Sequence, residues 1–176
     1  MKWIMVFFLF ILIGCSNIPK KAWKKIDKEK VFLNIEAGDI ILKERQSNIL
    51  GLFGHTGVMK TDRLIVEYPK LGENINIVDI NYWLEKDRRF IVLRYIGMDK
   101  KFKEKFIKNL NDYIELNRPY KINFNIKSED GFYCSQFIWY IYYKTAFELG
   151  ITLNTNRYFL FFPYDFVYSK EFYIIF

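Results

Sequence analysis

Short apolar runs separated by turn signals fill the first half of the chain, and longer runs with apolar residues every three or four positions fill the second. GDIIL, Gly38 to Leu42, places an apolar run behind a Gly-Asp turn and predicts a strand, followed by a loop over 43–53. GHTGVMK and RLIVEYP, linked at Thr61 and Asp62, predict a hairpin whose second strand ends at Pro69. INIVDI at Ile75 to Ile80 and FIVLRYI at Phe90 to Ile96 predict two more strands, with a short turn or helix at Asn81 to Lys86 between them.

The period then changes. Phe102, Phe106, Leu110 and Tyr113 recur at helical spacing within Met98 to Leu116, which predicts an amphipathic helix with Asp99 as its N-cap. SEDGFYCSQFIWYIYYKTAFEL carries Phe137, Ile138, Ile141, Thr145 and Leu149 on one helical face, with Gly150 as the stop. Its aromatic and β-branched content also suits a strand. The tail FLFFPYDFVYSKEFYIIF is expected to add a loop, a helical turn and an edge strand. These elements describe an α+β domain in which a small antiparallel sheet packs against helices.

The first fourteen residues, MKWIMVFFLFILIG, carry a lysine, an unbroken apolar run and a small residue before Cys15. This is the layout of a secretory signal, and its apolar run is short for a membrane span. LIGC, Leu12 to Cys15, resembles the lipobox of bacterial lipoproteins, so Cys15 is the expected lipidation site. The chain then divides into a signal over 1–14, a tether and short helix over 15–35, and a domain over 36–176. The expected location is the bacterial cell envelope, with the membrane as partner through the lipid on Cys15.

The 176 residues suit one domain with a real core, and 51% hydrophobic and 20% aromatic content argues against disorder. Net charge is +7. Lys20, Lys21, Lys24 and Lys25 follow Cys15, where they either meet anionic headgroups or simply solvate a tether. No basic and aromatic motif of a nucleic-acid module is present, so no nucleic-acid partner is expected. A monomer is expected.

With Cys15 taken by lipid, Cys134 is the one thiol left and no internal disulfide can form. Cys134 stands near the start of a predicted helix, where unpaired N–H groups and the helix dipole favour a thiolate. His55, the single histidine, stands near the start of a predicted strand between Gly54 and Gly57. A helix-start cysteine facing an imidazole is the activated-nucleophile arrangement of thiol hydrolases. Taken singly, a lone cysteine or histidine is more often a core or surface group. A third group must orient the imidazole, and Glu67 on the partner strand is the candidate. A two-residue loop at Thr61 and Asp62 sends Glu67 to the opposite face, whereas a three-residue loop over Lys60 to Asp62 pairs it with His55. One histidine without clustered cysteines or acids gives no metal site, and no cofactor is implied. Asp39 is read as a turn cap, and Trp83 as core or pocket wall.

GDIIL, GHTGVMK, LIVEY and YCSQFIWYIY, in that order, resemble the permuted papain-like amidases of the YaeF/YiiX type, relatives of the NlpC-type cell-wall peptidases. In unpermuted relatives the cysteine helix precedes the histidine strand; here histidine, polar residue and cysteine follow in the permuted order. The resemblance spans roughly residues 36–169. RPYKINF, Arg118 to Phe124, is similar to the family's Pro-Tyr-Asp-x-x-Phe element with Lys121 in place of the acid, and implies that Tyr120 lines the site and helps bind an oxyanion. FPYDFVYS is similar to the closing Pro-x-Asp-x-x-x-Ser segment, while Gln136 stands where the family often has Glu. The implied fold is a circularly permuted papain-like (NlpC-like) domain. The implied activity is a Cys134-His55-Glu67 hydrolase of an amide or ester in a cell-wall peptide or acylated lipid. The rivals on the same fold are a thiol acyltransferase and a catalytically idle ligand-binding lipoprotein.

Overall fold

The computed structural model describes residue 23 and residues 34–46, 53–84, 89–154 and 159–175. The signal segment, Cys15, Pro19 and the lysines of the tether lie outside the described residues. Strands β1 (Ile40–Lys43), β2 (His55–Met59), β3 (Leu64–Glu67), β4 (Asn76–Asp79), β5 (Phe90–Tyr95) and β6 (Phe172–Ile174) form one sheet in the order β4-β3-β2-β1-β5-β6. Every pairing is antiparallel. Helices α1 (Ile80–Leu84), α2 (Lys100–Leu116), α3 (Cys134–Glu148) and α4 (Asp165–Tyr168) complete the domain. Among the described residues no helix is long and apolar enough to cross a membrane.

Strand alternation sorts the side chains into two cores. Ile40, Leu42, Val58, Val66, Ile91 and Leu93 face α2 and α3, while Ile41, Met59, Ile65, Phe90 and Val92 pack with Ile80, Trp83 and Leu84 of α1 on the other face. The expected edge strand of the tail is β6, beside β5.

Helix α2 follows its sequence pattern: Phe102, Phe106, Leu110 and Tyr113 are buried, and the Asp99 carboxylate accepts the Phe102 N–H at 2.7 Å. Helix α3 departs from the expected single apolar face. Eleven of its fifteen residues are buried, so it is the central helix, enclosed by the sheet, α2 and the tail. Buried Asn109 on α2 donates to Thr145 Oγ1 and Glu148 Oε2 of α3, supplying the polar satisfaction that such a burial needs. Gly150 ends the helix region in a left-handed conformation (φ 71°), as its position suggests.

The hairpin loop is odd-numbered but sits one residue later than either counting proposed. Lys60 N–H bonds Leu64 C=O at 2.8 Å, leaving Thr61, Asp62 and Arg63 as a three-residue loop. Thr61 Oγ1 accepts the N–H groups of both Arg63 and Leu64, which draws Arg63 out of the strand and into the turn. The register becomes Gly57↔Glu67, not His55↔Glu67.

Asp39 is more than a turn cap. It accepts Glu36 N–H at 2.7 Å, and Arg94 from the neighbouring strand binds it in a two-point fork at 2.8 Å on each side. Asp39 is only 1% exposed, so removing its carboxylate would leave a guanidinium with a lost partner at the head of β1. Asp39→Ala is expected to lower unfolding free energy by about 2–4 kcal/mol in urea titrations.

Candidate active site

Strand β2 begins at His55, immediately after Gly54. Gly54 holds φ 76°, a left-handed backbone, and a Cβ there would lie 2.9 Å from the Tyr164 ring and 3.0 Å from Lys43 C=O. The chain therefore enters β2 at the sheet rim with no side chain in the way, and His55 opens the strand on the face that carries Trp83. Gly57 serves the neighbouring packing: a Cβ there would meet Ile65 Cδ1 at 2.7 Å, so the close approach is made by a core side chain.

His55 and Glu67 are diagonal neighbours on one face of the β2–β3 pair, two residues apart in register, a separation long side chains can span. His55 Nε2 meets Glu67 Oε2 at 2.5 Å. Trp83, from α1, donates its indole N–H to the same oxygen at 2.6 Å. Lys43, directly across from His55 on β1, holds its ammonium 3.4 Å from the centre of the Trp83 ring. Burial alone would push the Glu67 carboxyl up, but the bonds from His55 and Trp83 and the charges of His55 and Lys43 hold it below its ordinary value.

With Nε2 committed to Glu67, the imidazole has Nδ1 left, and the Cys134 thiol lies near enough for each group to shift the other's proton affinity. Cys134 is the first residue of α3, preceded by Tyr133 in extended conformation with no side-chain cap. The backbone N–H groups of Thr56 and Ser135 also favour negative charge on its sulfur. Thr56 lies one residue beyond the last β2–β3 ladder pair, which leaves its N–H for the sulfur. Desolvation opposes both charges of the pair. It would lower His55, yet the hydrogen bonds and charges of Cys134 and Glu67 prevail and raise the imidazole to about 9. It would raise Cys134, yet His55 and the two backbone donors hold the thiol below its ordinary value. Both shifts run in the direction that favours a thiolate–imidazolium pair, and the site is partly open to solvent: Cys134 is 9% exposed and the His55 side chain 17%.

Tyr120 is half-buried beside Tyr68 and bridges in parallel to Phe132, two residues before the thiol. Burial and the charge at Cys134 push its hydroxyl up to about 12, so it stays a neutral donor. The residues flanking Cys134 clamp one residue of the tail: Tyr133 Oη accepts Phe161 N–H at 2.8 Å and Ser135 Oγ donates to Phe161 C=O at 2.5 Å. Gln136 is fully buried and turns its amide N–H groups toward the carbonyls of Asn125, Ile126 and Ser128, acceptors that suit an amide better than an ionised carboxylate.

The structure thus brings together all three residues singled out for the chemistry, with Tyr120 close by. Lys43, Trp83 and the Thr56 N–H join them. Lys43 carried a readable signal, since alternation from Ile41 turns it toward the apolar face, where a lysine needs a partner. The Thr56 contribution is main-chain and has no side-chain signature.

Residues 34–171 match the model of the family described as permuted papain-like amidase enzymes, YaeF/YiiX, C92 family. The chain belongs to this family. Among solved structures it is similar to YiiX from Escherichia coli O157:H7, with 17% identity, a TM-score of 0.61, and coverage of 80% of this chain and 96% of that one. That likeness supports the permuted papain-like α+β fold. No curated protein matches the chain. The YiiX structure is described as that of a metalloprotein. Here Glu67 is bonded to His55 Nε2, which takes that nitrogen out of the set a metal ion could use together with the carboxylate. Among the described residues no group of three His, Cys, Asp or Glu is placed to hold a metal ion.

Because His55 is the single histidine, its ring signals in NMR report the site without ambiguity. The wild-type imidazole is expected to titrate near 9. Glu67→Gln and Cys134→Ala, each removing a negative charge, are expected to move it down toward ~6.5.

Proposed function

We propose that this member of the papain-like amidase family is an envelope-anchored thiol hydrolase whose reacting groups are Cys134, His55 and Glu67. The observation that supports it best is the relay itself: a helix-start thiol electrostatically coupled to an imidazole whose Nε2 is held by a carboxylate at 2.5 Å.

The Cys134 thiolate attacks the carbonyl carbon of an amide or ester. The carbonyl oxygen takes up the negative charge, and the Cys134 N–H at the open start of α3 donates to it, with the neutral Tyr120 hydroxyl as a second donor. Collapse of this intermediate breaks the bond to the leaving group. His55 gives its proton to the departing nitrogen or oxygen, leaving a thioester on Cys134. Neutral His55 then takes a proton from water as that water attacks the thioester, and the acid product leaves with thiolate and imidazolium restored. Glu67 keeps the imidazole in one orientation throughout. These steps use no cofactor.

Substrate class follows from location. Lipidation at Cys15 would place the domain against the envelope, where cell-wall peptides and acylated lipids both offer amides or esters. Incubation with peptidoglycan fragments and, separately, with a lipid extract, followed by mass spectrometry, tells them apart. New products are expected from one of the two with wild type and from neither with Cys134→Ala; products that persist in Cys134→Ala would contradict the assignment.

The pH dependence has a definite sign. The reactive form needs Cys134 deprotonated and His55 protonated. Activity is therefore expected to rise as pH climbs through the depressed thiol value, to hold across neutrality, and to fall as pH passes about 9 and His55 loses its proton. His55→Ala is expected to cost about 10³-fold or more in turnover. Cys15→Ala is expected to release the protein from the membrane fraction.

A further inference from the structure

The β1–β2 ladder ends at Lys43↔His55, and the chain runs on past the sheet rim as Glu44 and Arg45, alongside Gly54. Arg45 is fixed there by one residue of the tail. Tyr164 Oη accepts the Arg45 N–H at 3.0 Å, and the guanidinium lies 4.1 Å from the centre of the Tyr164 ring. The same ring is the group 2.9 Å from the Cβ position of Gly54, the residue before His55. Three residues earlier in the tail, Phe161 is gripped by Tyr133 and Ser135, which flank the thiol. Tyr164 thus ties Arg45 to the imidazole strand and to the start of the thiol helix.

Arg45 has no anion of its own. Among the described residues its guanidinium enters no ion pair, and its Nε is buried without a hydrogen-bond acceptor. The carboxylates next in sequence are engaged elsewhere: Glu44 by the Arg89 fork, and Asp165 by the Phe162 N–H at 2.8 Å. Stacking on Tyr164 uses the face of the guanidinium and leaves its edge, the fork of donors that grips a carboxylate or phosphate at two points. Arg45 is only half-buried, so a ligand can reach it. Its surroundings are aromatic: Trp23 packs on Tyr164, and Phe53, 47% exposed, stacks on Phe162. A cation beside such low-dielectric walls attracts an anion more strongly than it would in water.

We propose that Arg45 is a specificity-determining residue of the thiol site, binding an anionic oxygen group, carboxylate or phosphate, that the substrate carries near its scissile amide or ester. This rests on the hydrolase reading above and narrows its substrate class to acids. A peptide offers the carboxylate and an acylated phospholipid the phosphate, so the head group that Arg45 prefers tells the two sources apart.

The experiment uses matched alkylating probes on the full chain: iodoacetamides whose nitrogen carries a methylene chain of graded length ending in a carboxylate, a phosphonate or a neutral carboxamide. The Cys134 thiolate displaces iodide, and the product is read on the Cys134 peptide by mass spectrometry. Each acidic probe is taken relative to its neutral partner of the same length, which cancels changes in the thiol itself. In wild type at low salt, one acidic head at one chain length is expected to react at least about fivefold faster than its neutral partner. Arg45→Met is expected to abolish that preference, and Arg45→Lys, which keeps the charge without the fork, to retain part of it. Should Arg45→Met not fold, Arg45→Gln carries the same expectation.

A preference that survives in Arg45→Met would show that another group attracts the anion and would overturn the proposal. So would a wild type that favours neither acidic head at any chain length. Neutral probes that alkylate wild-type Cys134 with the ordinary thiol inflection of ~8.5 would overturn the hydrolase reading itself, and this inference with it. The neutral probes read the thiol and the ratio reads Arg45, so the two failures are distinguishable.

Discussion

The hydrogen bond between His55 Nε2 and Glu67 Oε2 is the constraint on which the rest of the site depends. It exists because the β2–β3 hairpin has an odd loop, which places both residues on one face of the sheet. One residue more or less in that loop would turn Glu67 into the opposite core. With the bond made, the imidazole has a fixed plane and one free nitrogen, and only a group at the sheet rim can reach it. Helix α3 begins there.

Two faces of the sheet contribute to one site. The acidic and aromatic half, Glu67, Trp83 and Lys43, belongs to the α1 face, while the thiol comes from the α3 face. His55 joins them because it is the first residue of its strand, after a glycine whose left-handed turn brings the chain in past Tyr164. The main-chain N–H groups of Thr56 and Ser135 favour negative charge on the thiol, while Tyr133 and Ser135 grip the backbone N–H and C=O of Phe161 in the tail. Placement of the sulfur thus involves the hairpin, the central helix and the closing segment together.

Much of this was legible in the residues. Apolar runs bounded by Gly, Asp and Pro marked the strands, and the spacing of Phe102, Phe106, Leu110 and Tyr113 marked α2. His55, Glu67 and Cys134 stood out because each is a rare or oddly placed type in its setting. The hairpin register was legible only as a choice between odd and even, since Thr61 decides it through side-chain bonds to Arg63 and Leu64. The all-round burial of α3 was hidden because Tyr140, Tyr142 and Trp139 read as an amphipathic mixture until the tail and α2 enclose them. Trp83 was legible as a buried aromatic but not as a hydrogen-bond donor to the relay, because a short helix that follows an edge strand gives no register against β3. Lys43 was the missed clue: a lysine on the inward phase of a strand asks for a buried anion.

The central claim is that Cys134 and His55 form an ion pair in the resting protein. The most direct measurement is the ultraviolet thiolate absorbance of the native full chain across pH, taken as the difference between wild type and Cys134→Ser, which removes any signal from Cys15. The account predicts one thiolate already present at neutral pH that disappears only on acidification. A thiolate signal absent at neutral pH and appearing only near the ordinary ~8.5 of a free thiol would contradict it.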